Sequence, residues 1–124
     1  MAHWPTDYKM VTEVFGAARP SASHPHDGLD IRNPMYGNVY ATHAGVVTSA
    51  SPGAAGGNQI IIQNDDGSVS GYAHTAAKVS AKQKIAEGQI IGYSDGSGTG
   101  APHLHYTYRR CQNCTKEDPR PYLP

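Results

Sequence analysis

The stretch Pro102-His103-Leu104-His105-Tyr106-Thr107-Tyr108 decides the fold. Side chains on an extended strand alternate between its two faces, so residues two apart point the same way. His103 and His105 therefore share one face, and Leu104 and Tyr106 share the other. The run alternates polar and apolar over its whole length, as a half-buried strand does. Its apolar face needs a core. Its open face presents two imidazoles just after the small-residue loop Ser94-Asp95-Gly96-Ser97-Gly98-Thr99-Gly100.

The same two-residue period recurs upstream. Asn58 to Gln63 and Ser68 to Ala73 flank Asn64-Asp65-Asp66-Gly67, and Asp-Gly between β-rich runs marks a hairpin. The far end of that hairpin delivers Tyr72-Ala73-His74. Asn38 to Ser49 predicts one or two short strands, broken near Ala44-Gly45, and Lys84 to Tyr93 predicts a strand pair around Glu87-Gly88. Ser51 to Gly57 reads as a flexible loop rimming a cleft, and Thr75 to Lys84 has room for a turn or a short helix. The expected fold is all-β: a small antiparallel β-sheet domain with an open groove between two glycine-rich loops. One domain over residues 1–124 is expected, with 1–9 as an N-terminal extension and 111–124 as a C-terminal tail.

Composition sets outer limits. A chain of 124 residues with 38% hydrophobic content fits one domain. Such a chain buries roughly 65% of its unfolded surface, a modest core. The 14 glycines and 9 prolines favour turns over helix. The formal net charge is zero, so there is no electrostatic footprint for nucleic acid. No apolar run approaches the ~20 residues needed to span a membrane. Met1-Ala2-His3-Trp4 lacks the basic start and apolar core of a secretory signal.

The chemistry lies in a split set of side chains. His26-Asp27-Gly28-Leu29-Asp30, Tyr72-Ala73-His74 and the His103/His105 pair supply three metal ligands and two further imidazoles. That is the inventory of a zinc hydrolase, whose metal keeps three protein ligands and leaves a fourth position to water. His26, Asp30 and His105 are the expected ligands. Two neutral imidazoles and one carboxylate leave positive charge on Zn²⁺, which lowers the pKa of a bound water to ~7. His74 and His103 are then available for acid–base work. His3 and His43 read as ordinary surface or core histidines. Asp27 reads as a solvated loop carboxylate that could also orient a ligand histidine.

These motifs, His26-x-x-x-Asp30 with Gly28 between, Tyr72-x-His74, and His103-x-His105 after Ala101-Pro102, resemble the M23 peptidase family. The resemblance is to the lysostaphin-like or LytM-like zinc endopeptidases and runs from about Val11 to Leu123. Val11-Thr12 with Phe15-Gly16 resembles the family's first strand and turn, and Asp118-Pro119 with Tyr122-Leu123 its ending. The resemblance implies a LytM-like fold of barrel-sandwich hybrid type. It implies zinc as cofactor, with His26, Asp30 and His105 as ligands and His74 and His103 as catalytic histidines, their individual roles left open. It implies a monomeric hydrolase of amide bonds in peptidoglycan stems or cross-bridges, working outside the cytoplasm: periplasmic, secreted or virion-associated. Arg19 resembles a basic residue that lies near the substrate cleft in relatives. Thr75, where relatives carry an apolar residue, and Ala81-Lys82-Gln83, where they often carry a glycine turn, depart from the pattern.

Rival readings are a non-catalytic relative that binds the wall or activates another hydrolase, and a non-haem iron oxygenase built on the same residue types. All five positions are present, which weighs against the first. The His-x-x-x-Asp spacing, rather than His-x-Asp, weighs against the second. Cys111-Gln112-Asn113-Cys114 lacks the second pair of a structural zinc site and the βαβ setting of a redox motif. A short disulfide between Cys111 and Cys114, closing the tail, is preferred over two free thiols and agrees with an extracytoplasmic setting. Asp95 to Gly100 is not a phosphate loop, since no helix with Lys-Ser or Lys-Thr follows.

Overall fold

The computed structural model describes residues 2–18, 25–54, 57–99 and 101–124, with the side chains at 53 and 54 outside that description. Among the described residues ten strands run in chain order. They are β1 (Val11–Glu13), β2 (Leu29–Ile31), β3 (Asn38–Tyr40), β4 (Gly45–Ala54), β5 (Gly57–Asn64), β6 (Val69–Ala73), β7 (Thr75–Ala77), β8 (Lys84–Ile85), β9 (Ile90–Ser94) and β10 (Leu104–Arg109). A single 3₁₀ turn, Arg120–Tyr122, follows. Seven strands form one sheet in the order β1-β2-β10-β6-β5-β4-β8, and three form a second in the order β3-β9-β7. Every pairing is antiparallel.

The alternation read in the sequence sorts the large sheet into two faces. On β10, Leu104, Tyr106 and Tyr108 are buried while His105, Thr107 and Arg109 face the groove. On β5, Ile60 and Ile62 point inward and Gln59 and Ile61 line the groove. The inward residues join Leu29, Ile31 and Tyr72 of the large sheet and Val39 and Ile91 of the small one in a single core. Trp4 and Leu123 belong to the same core, and the Trp4 indole N–H donates to the Pro124 carbonyl at 3.0 Å. Tyr122 stacks on Tyr108 with ring centroids 4.2 Å apart.

A polar knot sits inside this core. The buried Thr42 backbone N–H donates to the Tyr72 hydroxyl at 2.9 Å. The Thr42 hydroxyl lies 2.8 Å from the Tyr106 hydroxyl, and Ser70 Oγ lies 3.1 Å from it. Asn64 Nδ2 donates to Ser70 Oγ at 2.8 Å. These groups tie the segment after β3 to the centre of the large sheet, and mutual bonding offsets the cost of burying them.

Three local expectations are revised. The Ser51–Gly57 stretch is not a free loop. Ser51 to Ala54 lie in β4 and Gly57 begins β5, with Ala54 paired to Gly57. Gly57 adopts φ +75° and packs so closely on Ser97 that a Cβ would strike the Ser97 backbone. Lys84 to Tyr93 does supply two strands, yet β8 pairs with β4 and β9 pairs with β3 and β7. Glu87-Gly88 is thus a crossing between sheets and not a hairpin turn. Thr75 to Lys84 holds β7 and a turn with Lys82 at φ +75°, because buried, β-branched Thr75 is taken into pairing with Ser94.

Replacing Tyr72 by Phe removes the acceptor of the buried Thr42 N–H. A loss of about 1–3 kcal/mol in unfolding free energy is expected. In urea it should appear as a lower midpoint at unchanged slope. A midpoint equal to wild type would show that the knot contributes no stability.

Candidate functional site

The outward face of the large sheet forms the floor of an open cleft of about 790 Å³. His26, Asp30, His74, His103 and His105 all line it. Strand register brings the first pair together, since β2 and β10 place His105 directly opposite Asp30. His26 enters from the preceding loop, where its backbone is clamped. Its carbonyl accepts from Gly16 N–H at 2.8 Å, and its own N–H donates to the Ala17 carbonyl at 3.0 Å. Gly16 makes the turn at φ +83°, a conformation that suits glycine.

His26 Nε2, His105 Nδ1 and Asp30 Oδ1 form a tight triangle. The edges are 3.1 Å from His26 to Asp30, 3.1 Å from His26 to His105, and 2.9 Å from His105 to Asp30. The outer nitrogens are occupied by fixed acceptors. His26 Nδ1–H donates to the Val14 carbonyl at 2.9 Å, and His105 Nε2–H donates to the Asp27 carboxylate at 3.0 Å. The two inner nitrogens and the carboxylate oxygen therefore converge on one point, which protons or a cation must fill. Tetrahedral zinc with bonds of ~2.0–2.1 Å separates its ligand atoms by ~3.3 Å, and the observed edges are close to that. Two imidazoles and one carboxylate could hold a metal ion here.

The other two imidazoles stand beside the triangle. His74 lies between β6 and β7 at φ +57°, a left-handed conformation that is costly for a side chain other than glycine. That turn lets Ala73 and His74, neighbours in the chain, both line the cleft. His74 Nδ1–H donates to the Ser97 carbonyl at 2.6 Å. Ser97 is itself held by the Asp95 carboxylate, which accepts its backbone N–H at 2.9 Å. His103 Nδ1–H donates to the Ala101 carbonyl at 2.9 Å, and its Nε2 lies 3.5 Å from Asp30 Oδ1. The His74 and His103 rings meet edge-on with centroids 4.8 Å apart.

Electrostatics follow from these contacts. Burial opposes ionisation of Asp30, yet hydrogen bonds from His103 and His105 and the charge on neighbouring imidazoles outweigh it. The carboxyl is held well below the usual carboxylate range. Burial lowers the His74 pKa, the Ser97 carbonyl opposes that, and the nearby His103 and His105 charges reinforce it. Its neutral form is therefore favoured. Asp27 is also lowered: burial works against it, but Lys116 and then His105 prevail.

All five residues singled out in the sequence as ligands or catalytic groups come together in this cleft. Arg19, expected near the substrate, lies outside the described residues. Two features escape a reading of the sequence. Lys116 Nζ donates to Asp27 Oδ2 at 2.9 Å; that Asp27 orients His105 is one of the two readings of the sequence, but its partner Lys116 is not foreseen there. No local pattern links positions 89 apart. The Ser97 carbonyl that holds His74 is equally silent, since any residue supplies one. Cys111 and Cys114 are joined by a disulfide in the turn between Arg109 and Lys116.

An antiparallel β scaffold with a two-histidine, one-carboxylate triangle and flanking imidazoles defines a candidate metallohydrolase. Comparison with known proteins narrows this class. Residues 24–119 match Peptidase family M23. The chain is 33% identical over 110 residues to the DD-carboxypeptidase/endopeptidase Mpg of Neisseria meningitidis, covering 85% of this chain and 25% of that protein. It is 34% identical over 123 residues to the murein hydrolase activator NlpD of Salmonella dublin, covering 98% and 31%. It spans a third or less of these curated relatives. The lysostaphin catalytic domain of Staphylococcus simulans superposes with a TM-score of 0.84 at 29% identity, covering 93% of this chain and 91% of that one. A zinc-containing peptidase from Vibrio cholerae gives 0.80 at 25% identity, covering 93% and 37%. The chain belongs to the M23 peptidase family, a family that acts on peptidoglycan. Among the described residues no helix is long and apolar enough to cross a membrane.

Gly28 packs against the triangle: a Cβ there would sit 2.6 Å from the Tyr106 carbonyl oxygen and 2.8 Å from His105 Cε1. Gly28→Ala should therefore push the local backbone and His105 out of place and, if the triangle holds zinc, weaken its binding about tenfold or more. A competition titration with a chromophoric chelator measures this, and wild-type affinity would contradict it. In the metal-free protein, the His74 ring followed by NMR should titrate below the ordinary histidine value of 6.5. A midpoint at or above that value would mean that burial does not govern it.

Proposed function

We propose that this chain is a zinc-dependent endopeptidase that hydrolyses amide bonds in the peptide stems or cross-bridges of bacterial peptidoglycan. The observation that carries the reading is the convergence of His26 Nε2, Asp30 Oδ1 and His105 Nδ1, with two further imidazoles beside them in an open groove. His26, Asp30 and His105 would hold the metal. When bound, zinc supplies Lewis acidity toward a scissile carbonyl and acidifies water to a pKa of ~7.

The chain's own residues then divide the remaining work. The His74 ring is fixed through Nδ1 by Ser97, which leaves Nε2 as the acceptor of its neutral form. Burial favours that form, so His74 is suited to take the proton from the attacking water. The water oxygen bonds to the carbonyl carbon, the carbon–nitrogen bond breaks, and the leaving amine receives a proton from an imidazole. His103, an edge-on neighbour of His74, is suited to stabilise the oxyanion or to protonate the amine. The Asp27–Lys116 pair fixes the His105 ring by accepting its outer N–H.

A slender peptide suits the cleft, whose floor includes Gly71 and Ala73 and whose wall includes Gly98. We assign the site to action outside the cytoplasm, as a monomer, and the Cys111–Cys114 bridge agrees with that setting. A second reading, an activator of another wall hydrolase, is favoured by the likeness to the Salmonella murein hydrolase activator over 98% of the chain. The retention of both flanking imidazoles beside the triangle favours the enzyme.

Digestion of purified sacculi from several wall types, read by mass spectrometry, separates the two. New amine and carboxylate ends should appear, vanish with chelator, and return with added zinc. His26→Ala and Asp30→Ala should lose zinc and activity together. His74→Ala should keep zinc and lose at least ~10²-fold in turnover, the scale of a general base. Full zinc occupancy in the first two variants would defeat the ligand assignment. Stoichiometric zinc without cleavage of any wall would favour the activator.

A further inference from the structure

Arg109 stands apart among the described arginines. Arg110 is paired with Glu117 at 2.9 Å, Arg32 lies over the Tyr8 ring at 5.3 Å, and Arg120 lies over the Trp4 ring at 5.2 Å. The Arg109 side chain has no ion pair, hydrogen bond or ring contact among the described residues, yet it is half-buried and lines the cleft. It lies on the same face of β10 as His105 and Thr107, four residues beyond His105. At ~3.3 Å per residue this places its backbone ~13 Å from that of His105 along the groove.

Between the two the floor is low. Gly71 lies opposite Thr107 in the β6–β10 register, and a Cβ at that glycine would strike the Thr107 hydroxyl. An extended peptide crossing from the triangle toward Arg109 therefore meets no large side chain at that position. Lys116, the other cation lining the cleft, is already matched by Asp27. Among the described residues, the end of the groove thus carries one unmatched positive charge, that of Arg109. A guanidinium presents a planar fork of donors that fits a carboxylate through two parallel hydrogen bonds.

We propose that Arg109 is a specificity residue that receives a carboxylate of the peptide substrate, two to four residues from the bond that is cut. The inference rests on the groove being the peptide site of the proposed hydrolase. Stem peptides can carry such a carboxylate free or capped as a carboxamide, so the site would read that modification.

The test uses cross-linked stem-peptide dimers of identical sequence, with their carboxylates either free or capped as carboxamides. Cleavage is followed with the zinc-loaded full chain. Binding of the same labelled dimers is followed by fluorescence anisotropy on His74→Ala, so that affinity is read without turnover. The free acid should be preferred by about tenfold or more, the worth of a charge-assisted hydrogen bond. Arg109→Gln should bring the ratio of acid to amide to about one, in both kcat/KM and affinity, at unchanged zinc content. Arg109→Lys should restore only part of the ratio, since it returns the charge without the fork. A wild-type ratio of one, or a ratio that Arg109→Gln leaves intact, would overturn the assignment. If no wall is cleaved but the acid is still preferred in binding through Arg109, the carboxylate site stands while the hydrolase reading falls.

Discussion

The pairing of β2 with β10 is the constraint on which the site depends. It sets Asp30 across from His105, so that a carboxylate and an imidazole 75 residues apart become nearest neighbours. A slip of one residue would turn every β10 side chain to the other face, burying His105 and exposing Leu104. The buried Leu104, Tyr106 and Tyr108 oppose that slip with core packing. The hydrophobic pattern that builds the sheet thus also determines which atoms meet in the cleft.

The site is held by shells of decreasing rigidity. Two corners of the triangle, Asp30 and His105, rest on strands and His26 on the loop before β2; its outer nitrogens rest on a backbone carbonyl and on Asp27. Asp27 in turn rests on Lys116, which lies beyond the disulfide-closed turn at Cys111–Cys114. His74 rests on a loop carbonyl that Asp95 fixes from below, with Asn58 Nδ2 donating to the far Asp95 oxygen at 2.6 Å. Hydrogen bonds from the neighbouring imidazoles hold the Asp30 carboxyl ionised at its corner of the triangle. A metal binds imidazole only in its neutral form, so metal affinity at such a site depends on pH.

Much of this was legible beforehand, and the reasons differ by element. The β10 alternation and the Asp-Gly hairpin are local signals, and both stand as read. The five candidate site residues were visible because their types are rare and their spacings even. What was hidden is non-local. Nothing in Lys84 to Tyr93 announces that its two halves belong to different sheets, because the partner strands, not the turn, decide that. That Asp27 orients a histidine was readable, but nothing in the sequence placed Lys116 beside it. Thr75 could have begun a helix on its neighbours alone, and a pairing with Ser94 settled it as strand.

The place of β10 in the sheet also bears on how the protein comes into being. This strand is the C-terminal-most of the ten, yet it is wedged between β2 and β6, two strands formed much earlier in the chain. Until it arrives, β2 has only the three-residue β1 for company, and β6 offers a bare edge. Such long-range closure is slow compared with hairpin formation. Synthesis runs at ~5–20 residues per second, so the half-made sheet waits several seconds for its keystone. During that wait two of the three triangle atoms are on the chain and the third is not. The triangle is therefore incomplete on the growing polypeptide and closes in one event, when the last strand pairs with β2.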